Sequence, residues 1–125
     1  NVGMTEAMAV EKHGKDAIRC LTFETKGNDR ALAEGKTSGM IKVVGLKNGT
    51  ILGAGIAGDN AGEFLAPWSL AISKNMKFKD IAGLIIAYPT VSEISKRVAG
   101  AWYTDSLFSD KTRKVIGWLQ KLPIF

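Results

Sequence analysis

The chain holds one cysteine, one histidine and three prolines in 125 residues, and each shortage excludes something. A lone Cys20 allows neither an intrachain disulfide nor a thiolate metal cluster, and an unpaired thiol fits a reducing, cytoplasmic setting. A lone His13, beside Lys12 and just before Gly14, reads as a partner for the end of a helix dipole; no second set of metal ligands surrounds it. Neither a G-x-S-x-G elbow nor an H-E-x-x-H pair is present. Long hydrophobic runs are also missing. Ile81 to Ser92 is the longest uncharged stretch, is interrupted by Pro89, and falls short of the ~20 apolar residues of a membrane span. Asn1 to Val10 includes Glu6 and lacks the apolar centre of a signal peptide.

What is there describes one ordinary domain, with 46% apolar and 23% charged residues. That length is too short for a complete enzyme of the large cofactor-binding kind. The opening Asn1-Val2-Gly3-Met4-Thr5 reads as part of something already under way, so a piece of a longer chain is expected. Seventeen basic residues against 12 acidic ones give a net charge of +5, but they are scattered along the chain without interleaved aromatics, which argues for a solvated surface and against nucleic acid. The only dense basic group is Lys111, Arg113, Lys114 and Lys121.

The spacing predicts both helices and strands. Thr5 caps a helix over Glu6 to His13, closed by Gly14, and Ile18 to Glu24 alternates as a half-buried strand. Asn48-Gly49 between Met40 to Leu46 and Ile51 to Ala54 marks a hairpin with both turn residues at positive φ. Asn60 with Glu63 reads as a capping box for a helix to about Asn75, with a kink or an early irregular turn expected near Pro67. Asp80 caps a short apolar segment, Ile81 to Ala87. Thr90 with Glu93 forms a second capping box for a helix through about Trp102, and a last, basic-sided helix starts at Ser109 or Asp110. Residues 1–103 form the domain, and 104–125 its helical tail.

Two features invite chemistry. Gly53-Ala54-Gly55-Ile56-Ala57-Gly58 spells G-x-G-x-x-G after a strand, as a dinucleotide fingerprint does. A Rossmann unit, however, sets its acidic residue after a second strand, whereas Asp80 precedes the next apolar run, and the strand before these glycines is one arm of an antiparallel hairpin. Close packing of a glycine-rich strand on its neighbour is the better reading. The second feature is Tyr88-Pro89-Thr90-Val91-Ser92-Glu93. Tyr88 before a proline is held extended, and Glu93 sits at a helix start; the pair is either purely structural or a phenol and a carboxylate presented together at a corner.

Val2-Gly3-Met4-Thr5-Glu6-Ala7, Asn28-Asp29-Arg30-Ala31, Gly39 to Val44, Ile51 to Gly58, Ala61-Gly62-Glu63 and Tyr88 to Glu93 stand in the order and spacing of one domain. Together, from Val2 to about Arg97, they resemble the C-terminal dimerisation domain of the FAD-dependent pyridine nucleotide-disulfide oxidoreductases, the family of dihydrolipoamide dehydrogenase, glutathione reductase and mercuric reductase. The resemblance implies an α+β two-layer unit, an antiparallel sheet with helices packed on it, that builds a homodimer. It implies FAD and NAD(P)H in the parent protein, held mainly by upstream domains of the same chain, with no cofactor or metal expected in this piece.

The family motif at the corner is usually His-Pro-Thr, two residues, then Glu, with the histidine reaching the partner subunit's redox thiols and the glutamate orienting it. By resemblance Tyr88 and Glu93 act in the partner's active site, Pro89 lies near the partner's flavin, and the Tyr88-Pro89 bond is cis. Glu93 matches the motif and Tyr88 does not; a phenol with a pKa near ~10 is a poorer proton shuttle at neutral pH than an imidazole near ~6.5. Tyrosine at this position resembles the mercuric-reductase-like subgroup. The competing expectation is a non-catalytic interaction module whose basic C-terminal helix meets a membrane surface or a partner.

Overall fold

A computed structural model describes residues 1–104 and, beyond them, Lys114 alone. The expected last helix, its basic residues Lys111, Arg113 and Lys121, and the interface suggested for them lie outside the described residues.

The chain forms a four-stranded antiparallel sheet with strand order β1-β4-β3-β2, where β1 is Val2–Gly3, β2 Ile18–Glu24, β3 Met40–Leu46 and β4 Ile51–Ala57. Among residues 1–104 five α-helices accompany it: α1 Glu6–His13, α2 Asp29–Ala33, α3 Ala66–Ser73, α4 Phe78–Ala82 and α5 Glu93–Ala101. The α+β expectation holds. No described helix is long and apolar enough to cross a membrane.

Period-2 alternation in β3 sends Ile41 and Val43 into the core, where they meet Trp68 and Ala71 of α3, Phe78 and Ile81 of α4, and Ile94, Val98 and Ala99 of α5. The aromatic centre is compact: Phe78 stacks on Trp102 with ring centroids 4.0 Å apart and meets Trp68 edge-on at 6.2 Å. The Trp68 indole N–H is satisfied by the Ser95 hydroxyl at 3.0 Å. On the other side of β3, Lys42 pairs with Glu6 of α1 at 2.6 Å. Register shifts between Val44 and Gly45, and a β-carbon at Gly45 would overlap the Phe78 ring that packs there.

The sequence reading needs four corrections here. In the hairpin only Gly49 takes positive φ, +91°: the loop is Lys47-Asn48-Gly49, closed by Leu46 N–H donating to Thr50 O at 2.9 Å, and Asn48 Oδ1 instead accepts the Thr50 N–H at 3.0 Å. Asn60 caps nothing, because it takes left-handed φ, +55°, within an irregular turn. Of the two outcomes expected near Pro67 the irregular turn is the one found: a 3-10 turn at Glu63–Leu65 precedes α3, and Pro67 lies in the first turn of that helix, where its missing N–H costs no helical bond. Asp80 does not begin its helix; it is the third residue of α4 and accepts the Lys77 N–H at 2.8 Å. The fourth correction concerns Thr90.

Candidate functional site at the Tyr88 corner

After α4 the chain stops making helix and runs outward, placing Leu84, Ile85 and Tyr88 on the surface, with Ile85 fully exposed at 101%. The Tyr88-Pro89 bond is cis, as the resemblance implied. The expected Thr90 capping box does not form. Thr90 Oγ1 donates to the Ala87 carbonyl at 2.7 Å, and Ser92 already has helical angles (φ −56°, ψ −24°), so no extended cap residue stands before α5.

The phenol has a carboxylate partner, but not the expected one. Tyr88 Oη donates to Asp29 Oδ2 at 2.8 Å, and Asp29 is the first residue of α2. The Arg97 guanidinium of α5 lies 3.7 Å from the same oxygen and donates to the Gly27 carbonyl at 3.1 Å. Beneath them Asn28 is completely buried, accepting the Ala31 N–H at 2.9 Å and donating to the Thr90 carbonyl at 3.1 Å, so one amide joins the start of α2 to the corner. The hydrogen bond to Asp29 pushes the Tyr88 phenol above its usual range; the Asp29 charge, partial burial and the Glu93 carboxylate push the same way, and Arg97 opposes them. Glu93 Oε2 is buried and has no hydrogen-bond partner among the described residues. Pro89 is exposed at the tip of the corner.

The glycine-rich strand offers no dinucleotide cradle. A β-carbon at Gly53 would overlap the Met4 carbonyl oxygen, and one at Gly55 would overlap the Asn1 side chain, so the space beside β4 is filled by the N-terminal segment of the same chain. The backbone at these glycines faces a neighbouring strand, with Val2 opposite Ala54 and Gly3 opposite Gly53. Among the described residues no group of three or more histidine, cysteine or acidic side chains could hold a metal ion.

A four-stranded antiparallel sheet, a structural glycine strand and a projecting cis-proline corner agree with one family. Residues 1–99 match the pyridine nucleotide-disulphide oxidoreductase dimerisation domain. The chain belongs to that family. It is 40% identical over 100 residues to dihydrolipoyl dehydrogenase of Bacillus subtilis, covering 79% of this chain and 21% of that protein. With dihydrolipoyl dehydrogenase of Geobacillus stearothermophilus it shares 41% over 100 residues, again 79% of this chain and 21% of the relative. The fold is that of LpdA from Mycobacterium tuberculosis (TM-score 0.72, 20% identity, 80% of this chain and 22% of that one). It is also that of the HOCl-induced flavoprotein disulfide reductase RclA from Escherichia coli (TM-score 0.71, 22% identity, 78% of this chain and 22% of that one). The domain thus spans about a fifth of the length of the relatives it matches.

Sequence reasoning named Tyr88, Pro89 and Glu93 and passed over Asp29, Asn28 and Arg97. Asn28-Asp29-Arg30-Ala31 stood among the motifs that carried the resemblance, but nothing local linked it to a tyrosine 59 positions away.

Proposed function

We propose that this domain forms the homodimer interface of an FAD-dependent oxidoreductase of the NAD(P)H:disulfide type. In this reading Tyr88 and Glu93 cross to the partner subunit's active site, and Pro89 lies beside the partner's flavin. FAD and NAD(P)H belong to upstream domains, since the glycine strand of this chain has no room for a dinucleotide. The observation that carries the reading is the corner itself: Ile85 is fully exposed beside Leu84 and Tyr88, an apolar surface that nothing covers among the described residues. A partner subunit seated there covers that apolar surface. At neutral pH the phenol keeps its proton, so Tyr88 orients a substrate group by hydrogen bonding and does not shuttle protons.

Two measurements test this. Ile85→Asp places a charge in the proposed interface and should weaken dimerisation roughly tenfold or more, about 1.4 kcal/mol, in sedimentation equilibrium. An unchanged association constant overturns the interface at this corner. Tyr88→Phe in the full-length enzyme should lower NAD(P)H-dependent turnover; equal rates with several acceptors would leave the ring filling space and nothing more.

A further inference from the structure

We infer that Asp29 is the positioning residue of the corner: by taking the Tyr88 hydroxyl in a hydrogen bond it turns the phenol oxygen's lone pairs outward, toward a proton-bearing group of the partner subunit or its substrate. The inference rests on the proposed function for what meets Tyr88, and on this chain's own geometry for how Tyr88 is set.

A phenol has one proton to donate and two lone pairs to accept with. At 2.8 Å from Asp29 Oδ2 the proton is committed, so Tyr88 is left as an acceptor. The groups that meet it there are donors, with a thiol S–H, an amide N–H or an ammonium as candidates of the right chemistry. The hydroxyl's single proton goes to Asp29 and not to Glu93, whose buried Oε2 has no partner among the described residues.

The setting of Asp29 is built from three separate ties and is not a chance surface contact. The buried Asn28 amide fixes the start of α2 to the Thr90 carbonyl at 3.1 Å, Arg97 Nη1 fixes the preceding loop through the Gly27 carbonyl at 3.1 Å, and Arg97 Nη2 balances the Asp29 charge at 3.7 Å. Asp29 comes to Tyr88 from α2, and Glu93 and Arg97 from α5; these are the charged groups that act on the phenol. Two anions and one cation surround it, an arrangement that favours the neutral, protonated phenol.

The test uses the fact that the chain has only two tyrosines, Tyr88 and Tyr103. With tyrosine labelled at the phenolic ring carbon, both are followed by NMR through the alkaline range. Asp29→Asn removes the negative acceptor and should move the Tyr88 midpoint down. Arg97→Gln removes the cation and should move it up, and should do so even if Asp29→Asn fails to fold. Tyr103, whose hydroxyl oxygen accepts the Lys79 N–H at 3.0 Å, should stay in place in both and reports that the fold is intact. Shifts of the same sign in the two variants, or none in a folded variant, overturn the inference.

In the full-length flavoenzyme an inflection of the turnover profile in the alkaline range, where the phenol becomes a stronger acceptor as phenolate, should follow the Tyr88 midpoint with the same opposite signs. A moved titration with an unmoved inflection overturns the catalytic use of Tyr88 and leaves the Asp29 pairing standing. An active enzyme that needs Tyr88 while the titration stays unmoved overturns the pairing alone.

Discussion

β4 and the Tyr88 corner lie in one small domain and treat their backbone in opposite ways. In β4 the side chains have been removed so that neighbours can close in: at Gly53 the approach of Met4 leaves no room even for a methyl group. At the corner the side chains have been pushed out, with Ile85 wholly exposed and Tyr88 67% exposed, and polar bonds from Asn28 and Thr90 hold the backbone that carries them. The first region derives its order from packing. The second borrows its order from the first, through hydrogen bonds anchored on the framework. A glycine-rich segment is therefore not by itself a binding loop, and an exposed apolar segment is not by itself a loose one.

Substitutions can break this contrast, and the largest effect should come from the packed half. Phe78→Ala empties the space between Trp68 and Trp102 and above Gly45, and should cost about 3–5 kcal/mol in denaturant unfolding. Gly53→Ala should cost roughly 1–3 kcal/mol, because the added methyl meets backbone and cannot turn aside; Gly62→Ala, where nothing lies within 4 Å, serves as its control and should stay within about 0.5 kcal/mol. A Gly53→Ala variant as stable as the control would mean that β1 is not held against β4 in solution. The smallest effect belongs to the corner. Ile85→Asp, expected to weaken association, should leave the unfolding free energy of the monomer within about 0.5 kcal/mol, since Ile85 is fully exposed. A large loss there would show that the corner contributes to the core and is not a presented surface.

The same contrast explains what could be read from the sequence. α1, β2 and the hairpin announced themselves because their signals are local: a capping threonine, an alternation, an Asn-Gly step between apolar runs. The G-x-G-x-x-G string was read as packing from the order of elements, and Met4 against Gly53 is the contact it was for. β1 was missed because two residues carry no period, and it exists only because β4 offers an edge. Thr90 and Asn60 misled because a cap residue must stand outside the helix in extended conformation, a condition composition does not reveal; Thr90 spends its hydroxyl on Ala87 and Asn60 turns left-handed. At the corner Tyr88, Pro89 and Glu93 were legible as a motif, while the Asp29 and Arg97 contacts, formed across 59 and 70 positions, were not.

The buried Asn28 amide also sets an order of events. Its bond to Thr90 closes 62 residues of chain, whereas the hairpin closes over the three residues between Leu46 and Thr50. Long closures become favourable only after the contacts they enclose have formed. During folding the hairpin should gain protection from hydrogen exchange early and the link between α2 and the corner late. The phenol then comes to Asp29 as a final step, so a chain arrested partway has a sheet but no assembled corner to offer a second subunit.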